Sequence, residues 1–116
     1  CTENAECRDG EACKWAREGR GCGPTGSGST GDACTTMADC GGQSTCYAWP
    51  GGYCTRIGCE GPDDCPSGTV CVSDGARAIC ADECSLIVVD DCRTGYTCAE
   101  RDPVDGPFSR FVCVPE

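Results

Sequence analysis

The chain contains no histidine, a single lysine, asparagine and methionine, and no long apolar stretch; its longest such run is Leu86-Ile87-Val88-Val89. Without histidine, the usual general base of nucleophilic triads and the commonest metal ligand are both missing. A four-residue apolar run falls far short of the roughly 20 residues that cross a bilayer as a helix. The one asparagine, Asn4, precedes Ala5 and Glu6 and is therefore no acceptor for N-linked sugar. Positive charge is also scarce. Nine basic residues stand against nineteen acidic ones, a net charge of −10, the reverse of the basic surface that nucleic-acid binders carry. Such a chain is repelled by anionic lipid head groups as well. No P-loop or dinucleotide-binding motif is present, and the adjacent acids Asp63 and Asp64, and Asp90 and Asp91, read as solvated surface rather than as carboxylates facing across a cleft. These absences point away from an enzyme, from a nucleic-acid partner and from direct membrane insertion.

Aromatic residues are few as well: Trp15, Tyr47, Trp49, Tyr53, Tyr96, Phe108 and Phe111. A chain of 116 residues with this content has little from which to build an ordinary hydrophobic core. What it has instead is sixteen cysteines, with seventeen glycines and seven prolines, a composition that marks a disulfide scaffold rich in turns. The cysteines fall into four copies of one spacing. Cys1, Cys7, Cys13 and Cys22 read C-x5-C-x5-C-x8-C, and Cys59, Cys65, Cys71 and Cys80 repeat it. Cys34, Cys40, Cys46 and Cys54 shorten the last gap by one residue, and Cys84, Cys92, Cys98 and Cys113 carry two insertions. No cysteine lies outside the scheme. The fold class expected is a small disulfide-rich protein of four tandem knot-like finger repeats, with short β-hairpins and cross-links in place of a core.

The repeats occupy residues 1–22, 34–54, 59–80 and 84–113, and residues 23–33 form a Gly/Ser/Thr-rich linker. That composition predicts a flexible tether, with repeats two to four continuous and repeat one held loosely. An acidic residue precedes each second cysteine: Glu6, Asp39, Asp64 and Asp91. Its expected role is to cap a turn through its side chain. A glycine stands between second and third cysteines in every repeat, at Gly10, Gly41 and Gly42, Gly68, and Gly95, and is expected to supply a positive φ. Hairpins are predicted between third and fourth cysteines in repeats two, three and four, whereas residues 14–18 of repeat one could form a helical turn. Three pairings are open to each repeat. First-to-third with second-to-fourth ties the leading loop to both strands of the hairpin, whereas consecutive pairing leaves them unconnected. The expected bonds are Cys1–Cys13, Cys7–Cys22, Cys34–Cys46, Cys40–Cys54, Cys59–Cys71, Cys65–Cys80, Cys84–Cys98 and Cys92–Cys113.

Bonds of this kind persist in oxidising compartments, so the expected location is secreted or at a cell surface. The chain shows no signal peptide of its own, which leaves a removed export signal or a piece of a longer chain. Cys54-x4-Cys59 and Cys80-x3-Cys84 fall within zinc-ligand spacing, and Asp63 and Asp64, or Asp102 and Asp105, offer carboxylate oxygens of the kind calcium takes. The cysteine pairs straddle repeat boundaries and the acids lack an EF-hand series, so no metal and no cofactor is expected.

On Cys59-x5-Cys65-Pro-Ser-Gly-Thr-Val-Cys71 and Cys34-Thr-Thr-Met-Ala-Asp-Cys40 the chain resembles the amino-terminal finger domains of dickkopf proteins and colipase, and the cysteine-rich repeats of secreted bacterial surface proteins. The resemblance implies a finger-like frame in each repeat and carries over no binding residue. Candidate interface residues come from the exposed apolar material: Trp15, Trp49, Leu86, Ile87, Val88 and Val89. Thr25, Ser27, Ser29 and Thr30 of the linker are candidate O-glycosylation sites. Repetition without a catalytic constellation leads to a non-enzymatic extracellular structural protein, a spacer or the subunit of a surface fibre. Its partners would be further copies of itself or another extracellular protein or glycan. The alternatives are a secreted binding module that presents hairpin loops, among them loop 101–110, to a receptor, protease or glycan, and an inhibitor or toxin-like effector.

Overall fold

The computed structural model of the protein describes residues 1, 3–16, 19–87, 92–104 and 109–116. Eight antiparallel strands make four separate two-stranded sheets among these residues: β1 (Glu11–Ala16) with β2 (Gly19–Pro24), β3 (Thr45–Tyr47) with β4 (Tyr53–Thr55), β5 (Thr69–Ser73) with β6 (Ala78–Asp82), and β7 (Tyr96–Arg101) with β8 (Arg110–Pro115). Isolated hairpins of this size are barely stable in water. The disulfides stabilise them. In each hairpin the third and fourth cysteines lie directly opposite one another, as Cys13 and Cys22, Cys46 and Cys54, Cys71 and Cys80, and Cys98 and Cys113. Facing cysteines do not bond to each other. Each reaches instead to the leading loop, and the eight bonds run first-to-third and second-to-fourth in all four repeats. Sulfurs of the first, second and fourth cysteines lie within 4.8 Å of one another in every repeat. The two cystines therefore stack side by side and form the centre of the finger. Eight disulfides in 116 residues fit a protein of an oxidising compartment.

Two short-range devices recur around this centre. A backbone turn closes ahead of each hairpin, with Glu11, Ser44, Thr69 and Tyr96 donating their N–H to the carbonyls of Arg8, Gly41, Pro66 and Arg93. Glycine provides the positive φ in each: Gly10 at 83°, Gly42 at 53°, Gly68 at 84° and Gly95 at 90°. In repeat two the positive-φ residue comes one place earlier in the turn, which leaves Gln43 where the other repeats have glycine. The second device is the acid before the second cysteine. Asp39 accepts from the N–H groups of Thr35 (2.9 Å) and Thr36 (3.1 Å) and from the Thr35 hydroxyl, and Asp64 accepts from Glu60 N–H at 2.8 Å. The carboxylate does cap a turn, but it reaches back three and four residues rather than forward. These turns are the 3-10 helices Met37–Asp39 and Pro62–Asp64, and repeat one has its counterpart at Asn4–Glu6. Asp91 lies outside the described residues.

Repeat one corrects the expectation of a helical turn. Residues 14–16 belong to β1, and Trp15 is held extended by bonds on both sides of its peptide: its N–H donates to the Gln43 carbonyl (2.9 Å) and its carbonyl accepts from Ile57 N–H (3.0 Å). The chain divides into two compact units, Cys1–Gly58 and Cys59–Glu116, so repeat one belongs with repeat two. The linker also differs from a free tether. Gly26 and Gly28 donate to the carbonyls of Cys40 (2.9 Å) and Asp39 (3.1 Å), Gly41 donates back to Gly28 (2.8 Å), and Gly31 donates to Cys54 (2.9 Å). A Cβ on Gly28 would lie 2.5 Å from the Asp39 carbonyl oxygen and 3.2 Å from Cys54 Sγ. Glycine is required there for close approach of two backbones.

In the second unit, Glu83 donates its N–H to Gly68 (3.0 Å), Cys84 to Phe111 (2.9 Å), and Val104 to Cys71 (2.8 Å). The Arg110 guanidinium is paired with the Glu83 carboxylate. Ile79, Val112, Val70, Val72 and Val114 are buried beside the cystines. Among the described residues no helix is long and apolar enough to cross a membrane.

Candidate interaction surface

The residues proposed from sequence as interface fall into three environments. Trp15 is buried at 6 % exposure, inside the first unit. The guanidinium of Arg20, its cross-strand partner, sits 3.6 Å from the indole ring centre, and that of Arg56 lies 5.4 Å away. Trp15 therefore covers the junction of repeats one and two and is not on offer to a partner. Trp49 is half-buried in an aromatic cluster on the β3–β4 hairpin, with ring centres 4.8 Å from Tyr53 and 5.8 Å from Tyr47. Tyr53 beneath it is fully buried, so most of this cluster serves the small core of repeat two.

Leu86 and Ile87 are different. They are 66 % and 92 % exposed, in a turn between Cys84 and Cys92. Val88 and Val89 lie outside the described residues. Val104, at 43 %, is the remaining large hydrophobic side chain exposed among the described residues. It belongs to loop 101–110, whose first part docks on β5 through the Val72 and Pro103 bridge and the Val104 N–H bond to Cys71.

All sixteen cysteines are in disulfides, so the clustered sulfurs offer no thiolate for zinc. Asp63 is exposed, the Asp64 carboxylate is engaged by Glu60 N–H, and Asp102 accepts from the Ser109 hydroxyl at 2.8 Å. Asp105 is outside the described residues. Of the candidate glycosylation residues, Ser27 and Ser29 are exposed and Thr30 is half-buried. The Thr25 hydroxyl is committed internally, to the carbonyls of Cys40 and Gly42 at 3.3 Å.

Lys14 is the residue that sequence reasoning passed over. The only lysine of the chain is 1 % exposed, and its ammonium donates to the carbonyls of Cys40 and Ser44, both at 2.8 Å, and to Thr25 Oγ1 at 3.3 Å. Burial pulls its pKa below the ordinary lysine value. Gly23 on the facing strand leaves room for its stem and for the Met37 thioether, since a Cβ there would lie 3.3 Å from Lys14 Cγ and against Met37 Sδ. A lone lysine in a strand carries no signal for such a role, because its acceptors are backbone carbonyls.

Comparison of the chain with protein-family models, with curated proteins and with solved structures found no match.

Proposed function

We propose that the chain is a non-enzymatic extracellular structural module: a set of disulfide-stapled fingers that acts as a protease-resistant scaffold and presents one apolar loop for docking to another protein. The observation that carries this reading is the exposure of Leu86 and Ile87. Apart from Val104, the other large apolar side chains among the described residues are buried or half-buried, and two adjacent aliphatic side chains this exposed form an apolar patch suited to contact with another protein. The clustering of cysteine sulfurs into cystines, with no histidine in the chain, also favours a scaffold over a catalyst.

A photo-crosslinking residue at position 87, compared with one at the exposed Arg8 of the first unit, tests the reading in the native extracellular medium. Discrete protein adducts at 87 and none at 8 are expected. Absence of adducts at both positions would remove the docking role. Adducts that contain only further copies of the chain would instead make it the subunit of a fibre.

A further inference from the structure

The two units have equal length and the same repeat design, yet they show water different surfaces. The large hydrophobic side chains exposed among the described residues, Leu86, Ile87 and Val104, all lie in the second unit. So does most of the charge. Residues of Cys1–Gly58 include five basic against seven acidic, a net of −2, whereas Cys59–Glu116 has four arginines against twelve acids, a net of −8. Two of those arginines are engaged by neighbouring side chains of the same unit. Arg110 is paired with Glu83, and Arg93 lies over the Tyr96 ring, 4.3 Å from its centre, and donates to its hydroxyl at 2.9 Å. In sequence, Asp82 and Glu83 precede the apolar pair and Asp90 and Asp91 follow it.

Resting on the docking role proposed above, we infer that the partner bound at Leu86 and Ile87 is a basic protein segment: an apolar anchor ringed by lysine or arginine. The exposed aliphatic pair gives a short-range anchor without charge selectivity. The excess of eight negative charges supplies the selectivity, because it steers cationic partners towards this unit and repels anionic ones. Two copies meeting through this face would bring two units of −8 together, and an anionic bilayer would meet the same repulsion. A basic chain is the occupant whose charge complements the surface.

Fluorescence anisotropy of three labelled amphipathic peptides against the full oxidised chain tests this. The peptides share leucine positions and differ in the rest, being lysine, serine or glutamate. The leucine–lysine peptide is expected to bind. Its affinity should fall about tenfold on Ile87→Ser, a central aliphatic anchor being lost, and by a similar factor between about 50 and 300 mM salt as screening sets in. The leucine–glutamate peptide should not bind. Serine and lysine peptides binding equally, independently of salt and both weakened by Ile87→Ser, would overturn the charge inference and leave the docking role standing. Equal binding of the lysine peptide to wild type and Ile87→Ser would overturn the inferred docking at this site. Sedimentation showing self-association of the wild type that Ile87→Ser abolishes would replace the basic partner with a second copy. Ile87 is almost wholly exposed, so the variant is expected to fold as the wild type does.

Discussion

The Lys14 ammonium donates to the Cys40 carbonyl across 26 positions of sequence, at 2.8 Å, and so joins the first strand of repeat one to the second cysteine of repeat two. The same ammonium reaches Ser44 and Thr25. Replacing Lys14 by methionine keeps the stem but leaves these buried acceptors with fewer donors, at a cost of about 2–3 kcal/mol. Hydrogen exchange of the β1–β2 and β3–β4 amides should accelerate accordingly, with the β5–β6 and β7–β8 amides unaffected.

Close packing of the linker gives a sharp contrast between glycines. Gly28→Ala forces a methyl against the Asp39 carbonyl and Cys54 Sγ and is expected to destabilise the first unit by about 1–3 kcal/mol. Gly21→Ala meets nothing within 4 Å and should change stability by less than about 0.5 kcal/mol. Thermal unfolding of the two variants distinguishes a packed segment from a tether, since a tether would tolerate both.

Asp39 makes the leading loop of repeat two sensitive to acid. The backbone N–H of Thr35, then that of Thr36 and the Thr35 hydroxyl, hold its carboxyl below the usual range, against a smaller opposing effect of burial. A folded pKa below the unfolded one means the folded form binds fewer protons. Its contribution is therefore full above the unfolded value of about 4 and is lost as pH falls through the lowered folded value. Amide exchange at Thr35 and Thr36 should rise over that acid range, relative to its intrinsic rate, and Asp39→Asn should flatten the dependence.

Removing one cystine tests how far the cross-links replace a core. Joint substitution of Cys59 and Cys71 by alanine opens a link across a sequence separation of 12, worth about 3 kcal/mol in the chain-entropy model. Limited proteolysis is expected to cut the β5–β6 finger first, and full reduction should abolish the dispersed amide spectrum of every repeat.

The stack of Arg20 on Trp15 adds a smaller effect. Arg20→Ala removes a guanidinium 3.6 Å from the ring centre and should cost about 1 kcal/mol. A shift in Trp15 emission reports it, read in a Trp49→Phe background so that one indole is observed.

Much of this molecule is written in spacing along the chain. Four copies of one cysteine spacing, a glycine before each third cysteine and an acid before each second one specify fingers, turns and caps, because each of these features closes over 21 residues or fewer and needs only local geometry. The opposed pairs such as Cys71 and Cys80, each bonded to the leading loop, follow from that local scheme. Longer-range relations had no such signature. A Gly/Ser-rich stretch has the same composition whether it swings free or lies against Asp39 and Cys54, and only the approach of another backbone makes Gly28 indispensable. A lysine in a strand looks solvated until Cys40 and Ser44 carbonyls converge on it, and a tryptophan looks like an anchor until Gln43 and Ile57 close over its peptide. Sequence by itself determined the repeat and its cross-linked frame. Tertiary structure alone decided which repeats pack together, which apolar residues are left in water and where the one lysine goes, since those outcomes depend on backbone groups that every residue carries alike.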